Sequence, residues 1–100
     1  MSDLEFSFTA KLWLWTGKGA WHFITVPEEI SGQIKMLTQR RGFGSVRVSA
    51  SIDGTAWKTS VFPDAKSGCY FLPVKAEIRR KCNINEGDDK TFVLGVDVGE

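Results

Sequence analysis

Apolar and polar residues alternate along the first part of the chain, which is the pattern of an extended strand with one face toward a core. The alternation changes character at its end, where Trp13 and Trp15 lie on the face opposite the other apolar residues. We predict that so long a strand bends, or pairs with different neighbours at its two ends. The apolar residues of its main face are Leu4, Phe6, Phe8, Ala10, Leu12 and Leu14.

A pattern that occurs twice predicts most of the remaining elements. Each copy has a strand, a proline, a short helical stretch, a glycine and a second strand, and the copies span Trp21–Ile52 and Cys69–Val98. Proline suits the first turn of a helix, where its missing N–H is no loss. Thr16–Gly19 and Asp53-Gly54 are turn signals that connect further strands.

These elements predict a mainly β domain that covers residues 1–100, with six or seven strands and two short helices. One helix is predicted to begin near Pro27 and the other to cover Ala76–Cys82, with Gly87 as a left-handed cap after it. Many short strands in a small chain must hide their edges, so we expect a closed barrel with an internal pseudo-twofold. The predicted inner stripe of the first helix is Ile30, Ile34 and Leu37.

Five segments carry a resemblance to a known family: Trp21–Pro27, Val46–Gly54, Ser60–Pro63, Tyr70–Arg79 and Glu86–Asp88. Together they resemble the bacterial and archaeal domain of unknown function 1905 family, and the second half of the chain carries the more specific part. The resemblance implies a double-split β-barrel, a fold shared with the transition-state-regulator and antitoxin DNA-binding barrels. It implies no known activity, because the family is named for lacking one.

Charge and composition narrow the classes of function. The chain has 100 residues with 13 basic and 12 acidic side chains, and this balance does not favour a general phosphate binder. No segment approaches a transmembrane helix, and the acidic start Met1–Glu5 does not resemble a signal peptide, so we expect a cytoplasmic protein. Cys69 and Cys82 lack metal-ligand spacing and are expected to be reduced and buried. We expect no cofactor and no metal.

Tryptophan marks the main candidate for a ligand-binding site, because four indoles are many for so short a chain. Trp13 and Trp15 share a strand face and Trp21 follows across a turn, so we expect the three to cluster at one end of the barrel. Either they fill the barrel mouth or pack against a helix, which is the more frequent role, or they form an aromatic patch for a small molecule or protein partner. Outward indoles also allow a weak homodimer. Trp57 is expected in the core or at the rim.

A basic cluster is the candidate for nucleic-acid binding, and Arg40 and Arg41 would extend it. It comprises Arg47, Lys75, Arg79, Arg80 and Lys81. The alternative, which we favour, is a solvated helix face, since exposed charge runs usually only improve solubility. Acidic residues that would balance the charge are Glu77, Glu86, Asp88 and Asp89.

No catalytic residue is predicted. His22 is the single histidine, and nothing in the sequence assigns it a nucleophile or an orienting group. The acidic pairs Glu28-Glu29 and Asp88-Asp89 are better explained by a helix start and a turn. The sequence therefore favours a non-enzymatic binding module with the tryptophan cluster as its site and no membrane association, as a monomer or weak homodimer. A regulator-like nucleic-acid-binding barrel is the alternative, and an enzyme is the least favoured class.

Overall fold

Antiparallel strands dominate the computed structural model, which describes residues 4–38 and 44–96. Within these residues there are seven strands and two helices, so the predicted mainly β composition is confirmed. Most of the predicted loop Gln39–Gly44 and the last residues of the predicted final strand lie outside the described residues. The elements are β1 (Leu4–Lys11), β2 (Trp13–Gly17), β3 (Gly19–Thr25), α1 (Glu28–Thr38), β4 (Val46–Ile52), β5 (Thr55–Pro63), β6 (Tyr70–Pro73), α2 (Ala76–Cys82) and β7 (Asp89–Val96).

The strands form one sheet in the order β1-β7-β4-β5-β6-β3-β2, and every neighbouring pair is antiparallel. The sheet is strongly curled, so that β1 also contacts β3. The two strands at the ends of this order, β1 and β2, are consecutive in the chain and separated only by Leu12. The segment pairs with β7 before Leu12 and with β3 after it. The predicted change of partner within the first long strand is therefore confirmed.

A second strand changes partner in the same way. β5 pairs with β4 from Thr55 to Val61 and with β6 through its last two residues. The two copies of the repeated pattern also meet, because β3 pairs with β6 and β4 with β7. The Val26 N–H donates to the Tyr70 carbonyl at 2.9 Å. The Val74 N–H donates to the His22 carbonyl of β3, also at 2.9 Å. These two bonds tie β3 and β6, the first strands of the two copies, to each other.

The core is formed by the inward residues of the curled sheet together with one side of each helix. The predicted alternation of β4 is confirmed, since Val46, Val48, Ala50 and Ile52 are all buried. Trp57 is also buried, in agreement with its predicted place in the core. Asp53 and Gly54 have φ angles of 48° and 83°, the left-handed conformation that a two-residue hairpin turn needs at both positions.

Two details of the helices correct the sequence prediction. Leu37 was predicted on the inner side of α1, but 45% of it is exposed and Thr38 is buried instead. Thr38 lies four residues after the buried Ile34, and residues four apart share one face of a helix. After α2 the left-handed cap is Asn83, with a φ of 53°, and not Gly87. Asparagine tolerates this conformation and ends the helix four positions earlier than the glycine would.

Ser31 connects α1 to the sheet. The residue is wholly buried, and its hydroxyl donates to the Val26 carbonyl at 3.0 Å. The same oxygen accepts a hydrogen bond from the Tyr70 N–H at 3.0 Å. Serine is a mediocre residue for a helix, but at this position its side chain pairs at once with the backbone just after β3 and with that of β6.

We expect Ser31→Ala to lower the free energy of unfolding by about 1–3 kcal/mol, because it leaves the Tyr70 N–H buried without its partner. Urea denaturation followed by far-ultraviolet circular dichroism measures this. The matched control is Ser45→Ala, at an exposed position, where we expect a change within about 0.5 kcal/mol. Equal effects of the two substitutions would contradict the role given to the Ser31 hydroxyl.

Candidate functional site

The outward side of four neighbouring strands carries half of the chain's aromatic side chains. Register brings them together, since Trp15 lies opposite Trp21 and Phe62 lies opposite Phe71. Side chains alternate along a strand, so the inward residues between them enter the core, as the fully buried Ile24 does. We call this surface the aromatic face, and it consists of Trp13, Trp15, Trp21, Phe23, Phe62 and Phe71.

Three members of the aromatic face are open to solvent. The exposed fractions are 43% for Trp15, 53% for Trp21 and 47% for Phe62. Together with Phe23 and Phe71 they line a hollow of about 330 Å³. Large aromatic side chains that share one exposed hollow are unusual on a protein surface and typically mark an interaction site. Trp15 and Trp21 therefore do not fill the interior of the curled sheet.

Trp13 has a different role from the other two candidate indoles. Its Nε1–H donates to the Thr25 hydroxyl at 3.0 Å, and its ring packs edge-on against Phe71 with centroids 5.0 Å apart. Trp21 in turn stacks on Phe23, with ring planes 10° apart and centroids 6.3 Å apart. The half-buried rings thus support the exposed ones, so the shape of the face exists before any ligand arrives.

Gly17 gives the Trp15 ring its position. A Cβ built on Gly17 would overlap the six-membered ring of Trp15, which lies across the glycine on the same face of β2. Residues two apart on a strand share a face, and only the absence of a side chain at Gly17 leaves the indole this space.

Basic side chains adjoin the aromatic face in two further hollows of about 380 and 360 Å³. Both are bordered by Trp21, Lys58, Thr59 and Pro73. In the part of the chain that the structure describes, no aspartate or glutamate lines either of them. We call this surface the basic groove, after its cations Arg47, Lys58, Lys75 and Arg79.

The structure divides the predicted nucleic-acid residues. Arg47, Lys75 and Arg79 line the basic groove, whereas Arg80 and Lys81 are exposed on α2 and do not line it. The Arg79 side chain is held in place because its Nε–H donates to a backbone carbonyl at 3.1 Å. The Lys75 Nζ lies 3.8 Å from Oε1 of Glu77 in α2, and an exposed ion pair of this kind contributes little to stability. The other two predicted arginines, at positions 40 and 41, lie outside the described residues.

Sequence reasoning missed four residues of these surfaces. The sequence pattern predicts Phe23, Phe62 and Phe71 only as strand residues and gives Lys58 no role. For Lys58 and Phe62 a signal is present in the sequence of β5, where Lys58, Ser60 and Phe62 alternate with the buried Trp57 and Val61. What the sequence could not show was which strands lie beside β5.

His22 lies on the inward side of β3 and borders the larger hollow of the basic groove. Its Nδ1 is buried and has no hydrogen-bond partner among the described residues. Burial lowers the pKa of the imidazole, the Arg79 charge lowers it further, and Glu86 opposes these effects weakly. The lowered pKa favours the neutral imidazole at pH 7, and none of the described residues offers its Nδ1 the acid or hydroxyl that would orient a general base.

The described residues give no evidence for a metal site or for a membrane-spanning helix. Residues 4–38 and 44–96 contain no group of three or more histidine, cysteine, aspartate or glutamate side chains that could hold a metal ion. Cys69 and Cys82 are buried free thiols. Neither of the helices described is long and apolar enough to cross a membrane.

Fold and surface together define a small antiparallel β protein with an aromatic outer face beside a basic groove. The model of the family described as Domain of unknown function (DUF1905) matches residues 8–94, so the chain belongs to this family, in agreement with the resemblance in its sequence. Comparison with curated proteins gives no match. The family membership therefore identifies the chain without assigning it an activity.

We expect Gly17→Ala to displace the Trp15 ring and to leave the stability within about 1 kcal/mol of the original, because alanine is itself tolerated in a strand. The indole N–H resonance of Trp15 should shift in a proton–nitrogen correlation spectrum, while that of the buried Trp57 should not. Thr16→Ala, at the neighbouring position of β2, serves as the control. An unmoved Trp15 resonance in Gly17→Ala would show that the ring does not depend on the glycine.

We expect the pKa of His22 to lie below its usual value near 6.5. Because the folded state then binds a proton less readily than the unfolded state, the stability of the protein rises with pH in this range. The contribution is fully present above pH 6.5 and is lost as the pH falls through the pKa of His22 in the folded state. Proton–carbon spectra of the single imidazole follow the titration without ambiguity. Arg79→Gln should raise this pKa only part of the way, since burial is the larger cause, and Lys81→Gln should leave it unchanged. A His22 pKa at or above 6.5 would contradict this assignment.

Proposed function

We propose that the protein is a non-catalytic binding module whose ligand lies on the aromatic face. The observation that carries the proposal is the hollow of about 330 Å³ between Trp15, Trp21 and Phe62, all three close to half exposed. Its lining favours a flat apolar or aromatic group, which could belong to a small molecule or to a protein side chain. Ring stacking and area burial are the interactions that such a surface provides.

The energetics support a ligand that covers the exposed rings. A tryptophan side chain buries about 150–250 Å² when it is covered, so a half-exposed indole has on the order of 100 Å² left to cover. At roughly 25 cal/mol per Å² this contributes about 2–3 kcal/mol for each indole. Because Phe23 and Trp13 already hold the layer beneath in place, little conformational entropy is lost when a ligand is bound.

We further propose that the curled sheet is a closed double-split β-barrel with an internal pseudo-twofold. Two long strands support this, since each gives up one partner along its length and takes another, β1–β2 at Leu12 and β5 after Val61. The pairing of β3 with β6 and of β4 with β7 relates the two copies of the repeated pattern. A cytoplasmic location is proposed with it, and the two free thiols are in keeping with a reducing compartment.

We expect neutral ring compounds, with indole as the probe, to bind weakly to the aromatic face. Amide shifts in a proton–nitrogen correlation titration should concentrate in β2, β3, β6 and the end of β5. Trp21→Ala should weaken this binding at least fivefold, because it removes the most exposed ring of the face. The matched control is Met36→Ala, which removes another exposed apolar side chain, 71% exposed on α1, and should have no effect.

Two results would overturn the proposed function. One is the absence of localised shifts at millimolar indole. The other is an equal loss in Trp21→Ala and Met36→Ala, which would mean that indole binds any exposed apolar surface. A concentration-dependent dimer that covers β2 and β3 would identify a second copy of the chain as the occupant of the face.

A further inference from the structure

We propose that the aromatic face and the basic groove together bind single-stranded nucleic acid, with bases stacked on the exposed indoles and phosphates along the groove. The proposal deepens the proposed function by naming the class of ligand, and it rests on that function. It requires that the two surfaces be continuous, that the groove be complementary to phosphates in charge, and that the ligand offer free base faces.

Trp21 makes the two surfaces continuous. Among the described residues, it alone borders all three hollows, the apolar one and both of those in the basic groove. Phe62 likewise borders the apolar hollow and the smaller basic one. A ring stacked on Trp21 therefore lies between an apolar surface on one side and cations on the other.

The charges of the groove are concentrated, although those of the whole chain are balanced. Thirteen basic and twelve acidic residues give the chain a net charge of only +1. Four cations nevertheless line the groove, and no acid lines it in the described part of the chain. Arg47 and Lys58 come from paired strands, where Arg47 lies opposite Ser60 and Lys58 lies opposite Ser49. Cations and hydroxyl groups in this arrangement match the oxygen atoms of a phosphate backbone.

The exposed indoles decide between single and double strands. The flat faces of bases inside a duplex are covered by their stacked neighbours, so a protein can stack on them only where the strand is single or opened. Proteins that bind single strands combine a positively charged groove with aromatic side chains on which bases stack. The structure offers both elements side by side, and Arg80 and Lys81 do not extend the charge of the groove, because they do not line it.

The test is a fluorescence-anisotropy titration with a fluorescein-labelled oligothymidylate about twelve nucleotides long, at salt concentrations between about 50 and 200 mM. Three competitors separate the sources of affinity: thymidine monophosphate, an abasic strand of the same length, and a blunt duplex. We expect the oligothymidylate to bind more tightly than each of the three. Affinity should fall with salt, by a logarithmic slope of about 0.7 for each phosphate contact.

Variants assign the two contributions to their surfaces. Trp21→Ala should weaken oligothymidylate binding about fivefold or more and change abasic-strand binding little, since only a base can stack on the indole. Lys58→Gln should weaken both strands and reduce the salt slope by about 0.7. Lys81→Gln, which removes an equal charge outside the groove, is the matched control and should leave the slope unchanged. Met36→Ala is the matched control for Trp21→Ala.

Each contrary outcome is decisive. No binding at about 50 mM salt, equal affinity for the abasic strand, or a preference for the duplex would each overturn the inference. Tighter binding of the monophosphate than of the strand would identify the ligand as a small nucleotide and would also overturn it. If indole still binds the aromatic face in any of these cases, the proposed function stands alone, and if indole also fails, both proposals are wrong.

Discussion

The structure depends on the backbone pairing of a single residue, Leu12, which lies where the first long strand passes from one partner to another. The Leu12 N–H donates to the Asp88 carbonyl at 3.0 Å, and the Leu12 carbonyl accepts a hydrogen bond from the Gly87 N–H at 2.8 Å. The side chain has no exposed surface. A chain that leaves one strand and joins another exposes peptide groups at the crossing, and these must be paired if they are buried. The turn before β7 provides the pairing, and β1 and β2 are thereby fixed at opposite ends of one curled sheet.

The same alternation that builds the core also builds the aromatic face. Along β3 the inward positions carry Ile24 and the outward positions carry Trp21 and Phe23. Each strand therefore supplies the core with one set of residues and the aromatic face with the set between them. Because the spacing is two, a slip of one residue in the pairing of β2 with β3 would exchange the sets. The tight packing of the core thus protects the arrangement of the rings outside it.

The sequence predicts the strands well because their signals are local. Alternation in β4, the turn at Asp53-Gly54 and the repeat of strand, proline and helix are all visible within short windows, and the structure agrees with them. The sequence also predicts Trp13, Trp15 and Trp21 as candidate site residues, because the change of strand face at Trp13 and Trp15 and the turn before Trp21 are local signals too. The structure places Trp15 and Trp21 on one exposed surface.

Other features depend on contacts between distant parts of the chain. Phe62 and Phe71 meet only because β5 leaves β4 and pairs with β6, which no local pattern shows. Lys58 joins Lys75 and Arg79 for the same reason. In α1, Thr38 replaces Leu37 inside because the packing of the helix on the sheet, and not hydropathy, decides which side is inward. Pairing between strands far apart in sequence is therefore the information that sequence reasoning lacked.

The different settings of the four tryptophans give the molecule an optical property. Trp57 is shielded in the core and Trp13 is held by its hydrogen bond to Thr25, whereas Trp15 and Trp21 are exposed to water. Indoles in water emit at longer wavelengths and are quenched by iodide, whereas shielded indoles emit at shorter wavelengths and resist the quencher. A ligand confined to the aromatic face should change the long-wavelength part of the emission, whereas one that also enters the basic groove should reach Trp57, which borders its larger hollow. The intrinsic fluorescence of the unlabelled chain thus reports whether the aromatic face is covered.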